Sequence, residues 1–211
     1  LPLSLWAAAR LSVPAQRNTA AGGIKLHLIW RELAGYVGFA MGYIVYLTFL
    51  SAWMTDQQAP ALLISAVWII MGVALIASPF VWRGVLARHA SGKPLAMILT
   101  GIAIGSALPL VLPAGGAVVI SAVVFGLCVF MAPGAITSFI RQNLPAESWA
   151  AAMSLFTVVF AIAQTAGPFA AGALGDLTGN IGSSLLAAAA ILLTGASVVA
   201  FQKPLPQQDP G

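Results

Sequence analysis

Five long runs of the chain contain no Asp, Glu, Lys or Arg, and short polar segments separate them. The uncharged runs cover residues 33–55, 57–82, 94–140, 148–175 and 177–202. Because about 20 apolar residues suffice for a helix to cross a hydrocarbon core of roughly 30 Å, each run can supply at least one membrane span. The run 94–140 is too long for one helix at about 1.5 Å per residue, and Pro-Ala-Gly-Gly at 113–116 predicts a turn within it.

This pattern predicts a bundle of six transmembrane helices covering residues 32–202. We expect the spans at about 33–54, 60–82, 95–112, 117–140, 149–172 and 181–201. The composition agrees, since 60% of the residues are hydrophobic and only 7% are charged, whereas soluble domains carry about 25% charged residues. A water-soluble globule is therefore excluded, and the predicted fold class is an all-α integral membrane protein.

The basic residues predict how the spans are oriented. All nine Lys and Arg precede span one, join spans two and three, or follow span four or span six. The other connections contain none and hold Asp56 and Asp176 instead. By the positive-inside rule, the helices should cross the inner (plasma) membrane with both termini on its cytoplasmic side. Residues 1–31 are then expected to be a cytoplasmic linker or the end of a preceding helix, and the second possibility would make the chain a fragment of a longer protein. The Pro-rich tail 203–211 should be disordered.

Two segments of the chain have similar sequences. SPFVWRGVLARHASG at 78–92 ends span two, and GPFAAGALGDLTG at 167–179 ends span five. These spans are the middle members of the triplets one-two-three and four-five-six, and an odd number of spans per triplet turns the second triplet upside down. The similarity of the two segments thus predicts two inverted three-helix repeats, as in many secondary transporters. Chance similarity between Gly- and Pro-rich membrane segments is the alternative.

Span five carries a stripe of polar and small side chains. At 100° per residue, Ser154, Thr157, Gln164 and Pro168 fall within about 80° of one another. Pro168 has no N–H for the Gln164 carbonyl, so two polar groups are concentrated at one depth. We expect either a cavity-facing substrate site or an interhelical hydrogen bond with a packing kink.

Span one carries aromatic side chains on one face and glycines on its flank. Tyr43 and Tyr46 place hydroxyls deep in the membrane, where each needs a partner. Cavity lining and ordinary packing are both open for them. The GxxxG pattern on the flank predicts close contact with another helix. The candidate hinge and packing positions in the chain are Gly38, Gly42, Pro133, Gly134, Gly167 and Pro168.

No arrangement for catalysis is recognisable. The single cysteine, Cys128, excludes a disulfide within the chain, and no metal-binding spacing, phosphate loop or nucleophile motif occurs. The acidic groups nearest the spans, Glu32 and Glu147, fall at expected cytoplasmic ends, so no span supplies an obvious proton-coupling carboxylate. Basic residues are not interleaved with aromatic ones in a nucleic-acid-binding pattern. We predict neither an enzyme nor a nucleic-acid-binding protein, and no cofactor or metal.

Several stretches resemble the major facilitator superfamily. GVLARHASGK at 84–93 is similar to its Gly-x-Leu-Ala-Asp-Arg-x-Gly-Arg/Lys loop, but Arg88 replaces the Asp, His89 the Arg, and one extra residue precedes the Gly. The acid-based gate lock of the family therefore does not carry over. Segment 141–179, with its Gln, Gly-Pro and Asp-Leu-Thr-Gly, resembles the tenth-to-eleventh helix region of the bacterial YbfB/YjiJ-like branch, and 33–49 fits its seventh helix. The candidate residues of a cytoplasmic gate loop are Gly84, Leu86, Arg88 and Lys93.

The resemblance covers residues 1–205 and implies the C-terminal half of a transporter, helices seven to twelve. It implies secondary active transport of a small organic solute by alternating access, in a lipid bilayer and together with a missing six-helix half; proton coupling is common in the superfamily. The candidate substrate-pathway residues are Tyr43, Tyr46, Ser154, Thr157 and Gln164. The competing hypothesis is a self-contained six-span scaffold or assembly protein that transports nothing.

Overall fold

The computed structural model describes residues 26–112 and 115–206, which form helices joined by short connections. In chain order the helices are α1 (Leu26–Asp56), α2 (Ala61–Arg88), α3 (Lys93–Val111), α4 (Gly115–Val129), α5 (Met131–Asn143), α6 (Trp149–Thr178) and α7 (Ile181–Ala200), with a 3₁₀ turn at Ala146–Ser148. Since α4 and α5 follow one another without a loop, the described residues contain six segments long and apolar enough to cross a membrane. The predicted all-α, six-span membrane fold is confirmed.

The predicted spans were ended near charged residues, and several helices of the structure continue past those residues. α1 begins at Leu26, inside the expected linker 1–31, because Arg31 and Glu32 are compatible with a helix although they are unfavourable in hydrocarbon. At the other end of the chain, Leu205 N donates to Asn143 Oδ1 at 2.7 Å, so the start of the expected tail is held against α5. Residues 1–25, the turn residues 113–114 and residues 207–211 lie outside the described ranges.

The fourth span is interrupted, although the sequence pattern predicts one helix over 117–140. α4 ends at Val129, Phe130 adopts φ −85° and ψ 0°, and α5 begins at Met131. Pro133 explains the position of the break, because it has no N–H to donate to the Val129 carbonyl four residues earlier. Gly134 follows within the first turn of α5, where an added Cβ would lie 3.3 Å from Met131 Cε and 3.8 Å from Leu86 Cδ1.

The neighbours of each helix follow a two-fold pattern. α1 packs along α7 and α6, α4 packs along α3 and α2, and α3 packs along α7. Exchanging span one with four, two with five and three with six reproduces these main pairs. The helices thus lie in the spatial order α2, α4, α3, α7, α1, α6, with α2 and α6 at the two margins and least buried. Two inverted three-helix repeats would produce this arrangement.

Glycines allow the closest helix contacts in the bundle. A Cβ added to Gly38 would lie 3.2 Å from Gly195 Cα, and one added to Gly42 would lie 2.5 Å from Leu192 Cγ. The GxxxG flank of α1 is therefore packed directly on α7, as small residues permit in membrane bundles. One end of the bundle, here called the basic end, carries Arg88, Lys93, Arg141 and Lys203; the opposite, acidic end carries Asp56 and Asp176.

Candidate functional site

A hydrogen bond joins the middle of α1 to the middle of α6. The Tyr43 hydroxyl donates to Gln164 Oε1, and both residues lie near the centres of their helices. Tyr43 is 9% exposed, whereas Gln164 is half-buried and reaches the surface of the bundle. Because the amide oxygen accepts from Tyr43, the two N–H groups of Gln164 Nε2 are oriented for a different acceptor.

The polar stripe of α6 is open rather than packed. Ser154 and Thr157 are exposed, and Thr157 Oγ1 donates to the carbonyl of Met153 in its own helix at 2.8 Å. The opposite face, with Ala152 and Phe156, is buried. The Thr157 hydroxyl is thereby satisfied within its own helix, whereas the N–H groups of Gln164 need water in a cavity or a protein partner, because lipid tails offer no hydrogen bonds. The stripe is therefore suited to line a wet pathway or a second helical unit.

A stack of aromatic rings lies beside Gln164 and positions Tyr43. The ring of Tyr43 stacks on Phe39 with centroids 4.5 Å apart, and it lies 5.9 Å from the ring of Phe160 on α6. Tyr36 extends the stack one turn further, 5.4 Å from Phe160. Rings held this closely on two helices leave Tyr43 little freedom to rotate. The α1 rings of this stack are buried, and only Phe160 reaches the surface beside the Gln164 amide, so an apolar ring and a hydrogen-bonding group adjoin there.

Tyr46 belongs to a different, closed network. It is fully buried, stacks on Phe125 with centroids 4.2 Å apart, and its hydroxyl lies 2.5 Å from Ser121 Oγ. Ser121 in turn donates to the carbonyl of Gly105 at 2.6 Å, so Tyr46 must be the donor to Ser121. The Gly105 carbonyl is the one that Pro109 deprives of its helical N–H partner. Tyr43 and Tyr46 thus contact different helices, and sequence reasoning missed Ser121.

Close backbone contact holds α6 against α1 beside the Tyr43–Gln164 pair. A Cβ added to Gly167 would lie 2.6 Å from the carbonyl oxygen of Met41 and 3.1 Å from its Cα. α6 continues as a helix through Pro168, which is half-buried and lies one residue further on. Gly167 therefore determines how closely the two helices approach at the depth of Gln164.

Backbone carbonyls of the last turn of α2 and of the loop that follows it accept hydrogen bonds from α5. Ser138 Oγ and Gln142 Nε2 each donate to the Leu86 carbonyl at 3.0 Å, and Asn143 Nδ2 donates to that of Ala90 at 2.7 Å. The sequence predicted the importance of the loop but not these partners. Ser138 and Gln142 are spaced by four residues, and this spacing could have indicated a polar helix face turned toward a loop. Among the candidate gate residues, Gly84, Arg88 and Lys93 are exposed, and Leu86 is half-buried.

A cavity of about 590 Å³ opens at the acidic end, away from these residues. Its wall includes Trp53, Gln57, Gln58 and Asn180, from the ends of α1 and α6 and their connections. No candidate substrate-pathway residue lines it. Within the described ranges there is also no group of three or more His, Cys, Asp or Glu side chains that could hold a metal ion.

Comparison with known proteins identifies the family. The family described as "Uncharacterised MFS-type transporter YbfB" matches residues 3–200, which is nearly the whole chain. Among curated proteins, none matches. The match agrees with six membrane-length helices, with the paired inverted order of their neighbours, and with the resemblance of the segment around Gln164. The chain is therefore a multi-pass membrane protein of the YbfB-like family of major facilitator superfamily transporters.

Proposed function

We propose that the chain is the C-terminal six-helix half of a secondary active transporter, which moves a small organic solute by alternating access. The observation that carries the proposal is the open polar stripe of α6, with the Gln164 amide oriented by Tyr43. In such a transporter, two six-helix halves rock about a site near the middle of the membrane. The proposal is supported by the position of Tyr43 and Gln164 near the middles of their helices.

Of the two marginal helices, α6 supports the need for a second half, because it exposes polar as well as apolar side chains. α2 and α6 are the least buried spans and expose large apolar side chains, including Ile69 and Phe80 on α2 and Ile162 and Phe169 on α6. On α6 the exposed polar stripe lies between this apolar face and the face packed on α1. A second helical unit, enclosing water against the stripe, would cover polar groups that lipid cannot satisfy.

In this function, Gln164 Nε2 donates to an acceptor on the solute, and the half-buried ring of Phe160 contacts its apolar part. Tyr43 is a positioning residue, since its hydroxyl holds the amide oxygen and directs the N–H groups outward. Ser154 and Thr157 supply further polar surface along the same stripe. The described part of the spans offers no Lys or Arg beside this stripe, so an anionic solute would need its counter-charge from the other half. Coupling to a proton gradient belongs to the same proposal.

We further infer that the basic end faces the cytoplasm of the inner membrane and that both termini lie on that side. The support is that every Lys and Arg among the described residues lies at or near one end of the bundle. Such segregation is the usual determinant of orientation in multi-pass proteins.

The test uses the full-length protein. A panel of small organic solutes is first screened by thermal shift, and a stabilising solute is then followed by uptake into proteoliposomes. Gln164→Ala should weaken apparent affinity roughly fivefold, since losing one neutral hydrogen bond costs about 1 kcal/mol. Tyr43→Phe should have a smaller effect of the same kind.

Thr194→Val is the matched control, because Thr194 is an exposed polar residue of α7 that bonds only the Ala190 carbonyl of its own helix, at 2.8 Å. Unchanged uptake in Gln164→Ala would remove Gln164 from the pathway. Absence of any stabilising solute and of any uptake would favour the scaffold hypothesis instead.

A further inference from the structure

A buried carboxyl group at the basic end of the bundle has one oxygen to which no described residue donates a hydrogen bond. Glu32, in the second turn of α1, is 1% exposed, and its Oε2 has no partner among the described residues. An ionised carboxylate is very unfavourable in such a place unless a cation or several donors compensate it. A neutral carboxylic acid removes most of that cost and adds one O–H donor.

A second unpartnered oxygen belongs to the residue that follows α7. Gln202 is 4% exposed, and its Nε2 donates to the carbonyls of Leu28 and Lys203, both at 2.9 Å. These bonds determine which side of the amide carries the nitrogen. Its Oε1 is then buried without a donor in the part of the chain that the structure describes. Leu28 is one helical turn before Glu32, so Gln202 is bound to the turn that carries the carboxyl group.

Gly92 brings the two side chains to the same space. Its N–H donates to the Gln202 carbonyl at 3.0 Å. A Cβ added to Gly92 would lie 2.9 Å from Glu32 Oε2, 2.7 Å from Gln202 Cβ and 2.2 Å from the Val199 carbonyl oxygen. The turn before α3, the second turn of α1 and the exit of α7 therefore meet around a glycine that leaves no room for a larger residue.

The charged groups on these elements do not supply the missing donor. The Arg31 guanidinium lies over the Trp30 ring, 5.0 Å from its centroid, and His27, Lys93 and Lys203 are exposed. None of them hydrogen-bonds Glu32 Oε2. Arg141 on α5 is directed to the Trp149 ring, 5.2 Å away. The two side chains that meet at Gly92 thus each carry a buried oxygen without a donor among the described residues, and a proton on the carboxyl group would supply one.

We propose that Glu32 is a proton-binding site, whose bound proton forms an O–H···O hydrogen bond to Gln202 Oε1 and joins α1, the turn before α3 and the exit of α7. On release, the O–H bond of the acid breaks, its electron pair stays on the carboxylate, and the proton passes to water. The resulting carboxylate and the Gln202 oxygen are both acceptors and repel each other. Water must then enter, and the junction at the basic end loosens. The proposal goes beyond the transport function and does not depend on it.

Infrared spectroscopy of the intact protein in lipid at neutral pH tests the protonation directly. The wild-type spectrum should contain the C=O stretch of a protonated carboxylic acid, and Glu32→Gln should lack it. Glu147→Gln is the matched control, because Glu147 is the other glutamate of the chain and is exposed at the same end. If wild type and Glu32→Gln show no difference in this band, with sodium present or absent, Glu32 is ionised and the proposal fails; a carboxylate band that shifts only with sodium would assign the site to that ion.

Hydrogen exchange at the Gly92 amide tests the junction. Glu32→Gln keeps the shape and a donor for Gln202 Oε1 but cannot lose a proton at this pH. As pH is raised, protection of the Gly92 N–H should fall in wild type and in Glu147→Gln beyond the intrinsic acceleration recorded with Glu32→Gln. An identical response of wild type and Glu32→Gln would show that release of a proton does not loosen the junction, and would overturn that part of the proposal.

Discussion

Gly167→Ala should separate α6 from α1 at the level of the candidate site. The new methyl group would lie 2.6 Å from the Met41 carbonyl oxygen and 3.1 Å from Met41 Cα. Both obstacles are backbone atoms in the middle of α1, so they cannot be relieved by a side-chain rotation. With van der Waals contact near 3.5 Å, the helices must retreat by roughly 1 Å.

The expected cost follows from two opposed effects. Overpacking in a rigid contact costs about 1–3 kcal/mol, while replacing Gly by Ala in a helix gains up to about 1 kcal/mol in propensity. Gly72→Ala isolates the second effect, because Gly72 lies within α2 and a Cβ added there meets nothing within 4 Å. The difference in unfolding free energy between the two variants should therefore be about 1–3 kcal/mol, with Gly167→Ala less stable.

The assay is reversible unfolding of the purified protein in mild detergent, followed by the fluorescence of its tryptophans or by steric trapping. A retreat of α6 would also lengthen the hydrogen bond from Tyr43 to Gln164, since Gln164 lies one turn before Gly167. Solute affinity should fall together with stability. Equal stabilities for Gly167→Ala and Gly72→Ala would refute the idea that the α1–α6 contact is close enough to be limited by a glycine.

Two further predictions concern other parts of the bundle. Ser121→Ala should destabilise the protein by about 1–3 kcal/mol, because it leaves the buried Gly105 carbonyl without a donor. Pro109→Ala restores a helical N–H to that carbonyl, so thermal denaturation should show a smaller loss of stability for Ser121→Ala in the Pro109→Ala background. Equal losses in the two backgrounds would contradict the network. Single cysteines replacing Asp56 and Arg88, in a variant whose one native cysteine is alanine, should react with a membrane-impermeant reagent from outside intact cells only at position 56; labelling of both from the same side would contradict the proposed orientation.

Much of the fold could be predicted because its determinants are local. A run of apolar residues long enough to cross the membrane must satisfy its backbone within its own helix, so the six spans follow from hydropathy and length alone. The break in span four was not predicted, although Pro133 was a candidate hinge, because a proline can be accommodated in two ways. α6 remains helical through Pro168, while the helix before Pro133 ends at Val129. The packing around each proline, which the sequence does not encode locally, selects between these outcomes.

The candidate site was only partly visible for the same reason. Helical periodicity placed Gln164 and Tyr43 on polar and aromatic faces, but it could not show that these two side chains meet or that Tyr46 binds Ser121 instead. Glu32 was assigned to a helix end near water, yet it is buried beside Gly92 and Gln202 from distant parts of the chain. Hydropathy and periodicity act along a single helix, so they establish spans and faces. The partners of the polar groups depend on the rotation and depth of each helix against its neighbours. Only packing in three dimensions decides that rotation and depth.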